Sequence, residues 1–194
     1  YPLRRQRQMC IRDRSTHDNP EIRYFSGTAT YNLRFQIPRD QLNPQNRILL
    51  RLGQVRDMAD VRVNDQPLGI WWHAPFERDI TAALHEGENT LSIAVTNTWH
   101  NLLVGDERYP IDCEWGTDRG GQGRGIKGYP EWFVKNQPRP SSQRKAFVLW
   151  YYHRDSTPLL PAGLLGPVEL SSHSAIATTP LSLIHISEPT RPRL

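Results

Sequence analysis

The chain has 194 residues, of which 24 are Lys or Arg and 20 are Asp or Glu, so its formal net charge is +4. This length suits one domain with its own hydrophobic core. No run of apolar residues is long enough to span a bilayer. The two cysteines, Cys10 and Cys113, say little about the redox compartment, because Cys10 lies in an atypical terminal stretch.

The two ends of the chain differ in character from everything between them. "LRRQRQMCIRDR" at 3–14 is rich in Arg and has no hydrophobic period, and "LSLIHISEPTR" at 181–191 matches nothing upstream. A nucleic-acid arm or a targeting peptide would be alternatives. Both stretches, however, are what one reading frame of the adapters of transposase-made DNA libraries encodes. We therefore predict that residues 1–14 and 181–194 are adapter-derived and that 15–180 is a single domain fragment.

This interpretation changes the charge balance. Without the two terminal segments, 17 basic and 18 acidic residues remain. No electrostatic footprint for nucleic acid is then left. A single cysteine, Cys113, also remains, and it cannot form a disulfide within the fragment.

Alternation of apolar and polar residues with period two is the main structural signal in the fragment. "TATYNLRFQIP" predicts a strand that ends at Pro38, with five residues on one face: Ala29, Tyr31, Leu33, Phe35 and Ile37. "RILLRLG" at 47–53 predicts a short apolar strand. "ADVRVNDQPLG" directs three residues inward and then turns at 64–67. The inward residues are Ala59, Val61 and Val63.

The same pattern continues towards the carboxyl end. "LGIWWHAPFERDI" predicts one strand and a second short one, and "DITAALHEGEN" predicts a helical turn that begins near Asp79 or Thr81 and stops at Gly87. "TLSIAVTN", "AFVLWYYHR" and "GPVELSS" predict three further strands. Short strands joined by turns are typical of an all-β fold, here an antiparallel β-sandwich.

A long segment from 98 to 144 interrupts the strands and is rich in Gly and Pro. Most connections have only about 4–6 residues, and longer loops are usually functional, disordered or docked on a neighbour. The tryptophans of this segment argue against disorder. We interpret it as a surface or interdomain segment.

The tryptophans are candidate contact residues. A pyranose offers an apolar C–H face to an aromatic plane, and the alternative is core packing. Trp71 and Trp72 are adjacent in a predicted strand, so they face opposite ways and one of them should be exposed. The candidates for carbohydrate or interdomain contact are Trp72, Trp99, Trp115 and Trp132.

The long segment also carries clustered carboxylates. Calcium takes six to eight oxygen ligands, and the spacing here matches no EF-hand. A structural calcium site on Asp106, Glu107 and Asp112 is one interpretation, and a solvated acidic loop, extended by Glu114 and Asp118, is the other. His73 and His100 have no zinc-ligand spacing. No other cofactor is predicted.

Specific stretches resemble a known family. "LGQVRDMADVRVNDQPLGIWWHAPFERDITAALHEGENTLSIAVTNTWHNLLVGD" at 52–106 resembles the galactose-binding-like jelly roll, the sugar-binding domain of family 2 glycoside hydrolases. "FSGTATYNLRFQIP" resembles its first strand. "YPEWFVKNQPRPSSQRKAFVLWYYHRDSTPLLPAGLLGPVEL" resembles the carboxy-terminal β-sandwich of bacterial α-L-rhamnosidases of glycoside hydrolase family 106. Two departures from the family pattern stand out, Asp65 where a turn glycine is expected and Leu102 where an arginine is expected.

The resemblance implies an accessory role. In this family the catalytic groups belong to a barrel domain, which the chain does not contain. Glycosidases need two carboxyls flanking the bond, about 5–5.5 Å apart or wider, and Glu77, Asp106 and Glu131 sit in no recognisable catalytic motif. We therefore predict no catalytic residues in this chain.

The resemblance also implies a setting for the domain. It suggests a non-catalytic β-sandwich of a large secreted or periplasmic glycoside hydrolase that acts on rhamnose-containing polysaccharides. The expected partners are the barrel of the same polypeptide and an oligosaccharide, with neither nucleic acid nor membrane. An independent carbohydrate-binding module and a purely structural domain without a ligand remain alternatives.

Overall fold

The structure is a computed structural model that describes residues 13–117, 123–141 and 143–174. Short helices are few: α1 (Pro20–Arg23), α2 (His100–Asp106) and α3 (Glu131–Val134). Within these residues, single 3-10 turns cover Arg14–Thr16, Arg39–Leu42 and Thr81–Ala83. The described strands are β1 (Thr28–Ile37), β2 (Asn46–Arg51), β3 (Gln54–Arg56), β4 (Met58–Val63), β5 (Gln66–Trp71), β6 (Glu77–Asp79), β7 (Gly87–Thr96), β8 (Arg124–Gly125), β9 (Trp150–Tyr151), β10 (Gly163–Gly166) and β11 (Glu169–Ser174).

The strands form two facing layers. One layer is a four-stranded antiparallel sheet in the order β1-β7-β4-β5. The opposite layer consists of the three-stranded sheet β11-β2-β6 and the two-stranded sheet β10-β3, while β8 and β9 form a separate ribbon. One hydrophobic cluster fills the space between the layers, with Val61 and Ile93 from the first and Leu50 and Leu164 from the second. The predicted all-β antiparallel sandwich is confirmed.

The predicted strand faces are confirmed as well. Val61, Val63 and Val95 are completely buried, and Leu91 and Ile93 nearly so. Leu33 and Phe35 point to the same core but stay half-buried, because β1 lies at the edge of the four-stranded sheet. Local alternation therefore predicted the inward face of each long strand correctly.

The hairpin between β4 and β5 is tighter than the sequence indicated. Asn64 and Asp65 alone form the turn, with φ of 50° and 62°, and β5 begins at Gln66. Positive φ at both central residues is the signature of a type I′ turn, which Asn and Asp tolerate. Asp65 therefore serves where the family pattern has glycine.

Two predicted elements are wrong in extent. The helical turn ends at Ala83, and Gly87 begins β7 with φ of 92° instead of ending a helix. Of the strand predicted at 146–154, only Trp150–Tyr151 forms β9. The backbone just before it is engaged by side chains, since Asp106 accepts the N–H groups of Lys145 and Ala146. The Asp106 carboxylate thus accepts the amide hydrogen bonds that a neighbouring strand would accept in a sheet.

The folded part begins before Ser15, where the sequence placed the domain boundary. Asp13 Oδ1 accepts the N–H groups of Ser15 and Ala162, each at 2.9 Å. The Arg14 amide donates to the Ala162 carbonyl at 3.1 Å. The last two residues of the predicted adapter segment are therefore hydrogen-bonded to Ala162, directly before β10. The remainder of the segments predicted at the two ends lies outside the described residues.

A core substitution tests the strand register. Val63 is completely buried, so Val63→Ala should lower the free energy of unfolding by about 2 kcal/mol through lost transfer energy and a residual cavity. Arg62 is its exposed neighbour, and Arg62→Ala should change stability by less than about 0.5 kcal/mol. Urea denaturation checks both values. A fold that tolerates Val63→Lys would contradict the register, because a one-residue shift would expose this side chain.

Candidate functional site

The long segment predicted at 98–144 belongs to a longer excursion from the sandwich, whose described parts are held by specific contacts. We call the chain between β7 and β10, residues 98–162, the excursion; within it the structure describes 98–117, 123–141 and 143–162. It contains α2, α3 and the β8-β9 ribbon. At its start, Asn101 donates to and accepts from the Leu160 backbone at 2.8 and 2.9 Å, so α2 holds the far end of the excursion in place.

Buried charges hold the middle of the excursion together. Asp106 is only 4% exposed and accepts the amides of Lys145 at 3.0 Å and Ala146 at 2.7 Å. The next residue, Glu107, pairs with Arg144, and both side chains are almost fully buried, at 7% and 6% exposure. Buried pairs of this kind depend on both partners being present. The acidic end of α2 is therefore fastened to residues 144–146.

A second ion pair lies beside the first. Asp112 binds the Arg139 guanidinium at both carboxylate oxygens, with Oδ2–Nε at 2.5 Å and Oδ1–Nη2 at 3.3 Å. Arg139 Nη1 also donates to the carbonyls of Arg144 at 3.1 Å and Ala146 at 2.8 Å. Such a fork-to-fork pair fixes geometry as well as charge. The two ion pairs and the hydrogen bonds of Arg139 therefore connect residues 107–112 with residues 139–146.

These contacts change the interpretation of the acidic cluster. Asp106, Glu107 and Asp112 bind backbone amides and arginines, so their oxygens are not gathered as ligands for calcium. The solvated-loop alternative is also wrong for them, because all three side chains are buried. Across the described ranges, no group of three or more His, Cys, Asp or Glu side chains is arranged to hold a metal ion. Asp118 lies outside those ranges.

Burial shifts several protonation equilibria in the excursion. It raises the pKa of Glu107, although Arg144 opposes the shift, and it raises the pKa of the Cys113 thiol, which Asp112 reinforces. Burial and the neighbouring His100 lower the pKa of His153. His100 Nε2 lies 2.9 Å from the Pro158 carbonyl and must donate to it. In a neutral ring its Nδ1 then accepts from His153 Nε2, 3.2 Å away.

Two of the four candidate tryptophans pack within the excursion itself. Trp132 donates from Nε1 to the Asp112 carbonyl at 3.2 Å, and its ring meets Phe147 edge-on at 5.3 Å. Trp115 packs on Tyr151 at a centroid distance of 5.3 Å. Both residues are half-buried. The structure therefore gives these two candidates a packing role in the excursion.

The other two candidates face outward. Trp72 is 70% exposed and Trp99 is 64% exposed, whereas Trp71 is 4% exposed and belongs to the core. The expected split between Trp71 and Trp72 is thus confirmed. Trp72 follows the last residue of β5, and Trp99 follows the end of β7 by three residues. Both strands finish at the same end of the four-stranded sheet, as the pairing of Ala59 with Trp71 and with Val95 shows.

The excursion exposes further apolar side chains that the sequence did not single out. We call them the aromatic surface. Tyr129 stacks on Phe133 at 5.5 Å, and Phe133 stacks on Phe147 at 4.9 Å. The only signal in the sequence was the aromatic content of "YPEWFV" and "LWYY", which does not distinguish inward from outward residues. The aromatic surface consists of Tyr129, Phe133, Val134, Leu149, Trp150 and Tyr152, all exposed.

The fold and these surfaces define a class of protein, a galactose-binding-like β-sandwich with an ordered excursion. Residues 7–138 match the family model described as "Glycosyl hydrolase 2 galactose-binding domain-like". The match covers more than half of the chain. The chain therefore belongs to this glycosyl hydrolase family 2 domain family.

Similar proteins are much longer than this chain. A Formosa agariphila protein named "Putative beta-glucuronidase" is 41% identical over 157 residues, which are 81% of this chain and 13% of the relative. A solved rhamnosidase from Novosphingobium sp. PP1Y matches with a TM-score of 0.63 and 31% identity over 84% of this chain and 12% of its own. A Bifidobacterium dentium beta-glucuronidase matches with a TM-score of 0.51 and 27% identity over 84% of this chain and 24% of its own.

The chain spans only a small part of the length of these similar proteins. The chain corresponds to between about one eighth and one quarter of the similar proteins. In such proteins the matched domain is accompanied by other parts of the same polypeptide. Within the part of the chain that the structure describes, none of the helices is long and apolar enough to cross a membrane.

Proposed function

We propose that this domain is a non-catalytic accessory β-sandwich of a large glycoside hydrolase of the α-L-rhamnosidase type, and that it docks the catalytic barrel. The observation that carries the proposal is the number of large apolar side chains that the described part of the excursion leaves exposed. Large exposed apolar patches on a folded domain mark interaction sites. The match to the Novosphingobium rhamnosidase over 84% of the chain supports the choice of enzyme class.

The internal order of the excursion favours docking over adaptation to many ligands. The buried pairs of Glu107 with Arg144 and of Asp112 with Arg139 hold the excursion in one shape before any partner arrives. A pre-organised surface loses less conformational entropy on association. Leaving large aromatic rings in water is unfavourable, and burying them against a barrel would remove that cost.

Two exposed ion pairs have lysines within two residues, along the chain, of members of the aromatic surface. Lys135 pairs with Glu131 at 3.0 Å, and Lys127 pairs with Glu114 at 3.2 Å, with all four side chains exposed. Interfaces commonly have an apolar centre and a polar, solvent-accessible rim. A docking surface for a second domain matches this arrangement.

Activity assays test the enzymatic part of the proposal. The 194-residue chain alone should hydrolyse neither an aryl α-L-rhamnoside nor an aryl β-D-glucuronide, while the parent polypeptide should hydrolyse the rhamnoside. Hydrolysis of the glucuronide by the parent would instead assign it to the glucuronidases. Turnover by the purified 194-residue chain, abolished by replacing one of its carboxylates, would overturn the non-catalytic role.

Hydrogen exchange tests the docking part. The amides of 128–135 and 147–153 should exchange at least tenfold more slowly in the parent polypeptide than in the 194-residue chain, because docking removes them from water. Val134→Lys in the parent should cancel this added protection, since it places a charge in the interface. Ile70→Lys, at an equally exposed apolar residue of the four-stranded sheet, should leave it intact. Equal protection in both proteins would contradict docking through this surface.

A further inference from the structure

A cleft opens where β3 passes into β4, at the end of the sandwich that also carries Trp72 and Trp99. Its volume is about 160 Å³. Three separate stretches of chain form its walls, at 56–57, 97–101 and 160–162. The lining residues are Arg56, Asp57, Asn97, Thr98, Asn101, Leu160, Pro161 and Ala162.

Two asparagines build the rigid part of this cleft. Asn97 accepts the Gly27 amide and donates to the Phe25 carbonyl, each at 3.0 Å. Asn101 spans to the Leu160 backbone with one donated and one accepted hydrogen bond. Both amide side chains are buried. Asn101 joins two of the walls, Asn97 anchors its own wall to residues 25–27, and the Asp57 amide donates to the Thr96 carbonyl at 3.0 Å, so the cleft exists before any ligand enters.

The remaining polar groups of the cleft are free for a ligand. Asp57 Oδ2 accepts the Thr98 amide at 2.9 Å, which orients the carboxylate. Over the described ranges, Asp57 Oδ1, the Thr98 hydroxyl and the Arg56 guanidinium have no hydrogen-bond or ion-pair partner among the side chains. One oriented acceptor, one hydroxyl and one cation are therefore among the groups of residues that line a preformed cleft.

Apolar side chains border the same cleft. Leu160 in the wall is half exposed, and Trp99, which does not itself line the cleft, directly follows the lining residue Thr98 and is largely exposed. The β4–β5 register, continued by one residue from the Ala59–Trp71 pair, sets Trp72 opposite Met58, next to Asp57 in the chain. An exposed indole ring beside polar groups suits the C–H face of a pyranose, which is apolar while its hydroxyls are not.

We propose that this cleft binds one acidic pyranose residue, a hexuronate, of a glycan. The guanidinium of Arg56 matches a carboxylate in charge and geometry, while the Asp57 carboxylate accepts hydrogen bonds from sugar hydroxyls. A hexuronate offers a carboxylate for Arg56 and hydroxyl donors for Asp57, and its single negative charge is repelled by Asp57 less strongly than that of a phosphate or sulfate dianion. The volume lies below the range of about 300–1,000 Å³ typical of larger ligands, so the proposed ligand is limited to one sugar ring.

The choice of a glycan as ligand rests on the proposed accessory function, but the acidic character rests on Arg56 and Asp57. Binding here would hold an acidic polymer near the barrel without involving the aromatic surface. Docking and glycan binding thus use different residues, so an experiment can contradict either proposal without contradicting the other.

Titrations of the 194-residue chain test the proposal directly. Methyl glucuronide and methyl galacturonide are compared with methyl glucoside and methyl galactoside by NMR chemical-shift mapping. At least one hexuronide should shift the resonances of 56–57 and 97–101 with a Kd on the order of 1 mM, and its neutral counterpart should bind at least tenfold more weakly. The preference should shrink as salt is added, because exposed charges are screened.

Variants assign the roles of the individual side chains. Arg56→Gln should abolish the tenfold preference for the hexuronide, and Trp99→Ala should weaken binding of both sugars at least tenfold. Tyr152→Ala is the control, because Tyr152 is also a largely exposed aromatic residue but is not adjacent in the chain to any residue that lines the cleft. Its binding should equal that of the unmodified chain.

Three outcomes would overturn the proposal. They are no shift at 56–57 and 97–101 with either hexuronide up to about 10 mM, equal affinity for the neutral glycosides, and an unchanged preference in Arg56→Gln. Failure of the docking proposal is read separately, from hydrogen exchange at 128–135 in the parent polypeptide. A chain that binds hexuronides but shows no docking would retain this site and lose only the docking role.

Discussion

Replacing Arg144 by leucine should lower the free energy of unfolding of this domain by about 3–5 kcal/mol. The substitution leaves the Glu107 carboxylate buried without its cation, and removing one partner of a buried pair typically costs this much. The Tyr109 carbonyl also loses its donor, Arg144 Nη1 at 2.9 Å. Denaturant unfolding monitored by tryptophan fluorescence measures the change, since Trp115 and Trp132 both lie in the excursion.

The same variant should respond to pH in a defined direction. Burial already raises the pKa of Glu107 above its ordinary value of 4.5, and loss of Arg144 raises it further. At a pH between the ordinary pKa of Glu107 in the unfolded chain and its raised pKa in the folded variant, the folded state binds more protons than the unfolded state. Stability therefore increases as the pH falls through this window, so Arg144→Leu should recover part of its lost stability on mild acidification.

An exposed ion pair provides the control for Arg144. Lys135 pairs with Glu131 across one helical turn, and both side chains are largely solvent-exposed. Lys135→Ala should therefore cost no more than about 0.5 kcal/mol. If Arg144→Leu were equally mild, the excursion would not depend on its buried charges, and the argument for a pre-organised docking surface would be lost.

Replacing Asn89 by alanine should cost about 3 kcal/mol or more. Asn89 is completely buried. Its Nδ2 donates to the carbonyls of His85 at 2.8 Å and Gly87 at 3.0 Å, and its Oδ1 accepts from Asn64 at 2.7 Å and from the His85 amide at 3.1 Å. Truncation leaves these groups unpaired in the interior, at about 1–3 kcal/mol for each that water cannot reach.

A surface asparagine supplies the comparison for Asn89. Asn32 lies on the exposed face of β1, and Asn32→Ala should change stability by less than about 0.5 kcal/mol. Thermal unfolding by circular dichroism distinguishes the two variants, because about 3 kcal/mol corresponds to a drop in Tm of several degrees or more for a domain of this size. Equal melting temperatures would show that Asn89 is not a structural bridge between the β4–β5 hairpin and β7.

Interactions between distant segments were the part that sequence reasoning missed. Asn64 was interpreted as a local turn residue, and it does form the turn, but its side chain also binds the Ala83 carbonyl and the Thr90 amide. The carboxylates of Asp106 and Glu107 were visible in the sequence, but their partners lie 37–40 residues away. Nothing in local spacing indicates which arginine returns to which carboxylate.

For the candidate tryptophans, too, the sequence predicted some features correctly and did not indicate others. The sequence predicted correctly that Trp71 and Trp72 separate, because adjacent residues of a strand must face opposite sides. It did not indicate that Trp115 and Trp132 would pack inside the excursion while Tyr129 and Tyr152 face solvent. That sorting depends on the path of an irregular segment, for which no short period exists.

The sequence by itself determined the class of fold, the inward face of each long strand and the β4–β5 hairpin. These properties depend on period-two alternation and on turn residues, which act over a few neighbouring positions. The tertiary structure alone decided that the acidic cluster is an ion-pair network and that Arg56, Asp57 and Thr98 share a cleft. These features require contacts between segments about 40 residues or more apart, and such contacts form only when the two layers and the excursion pack together.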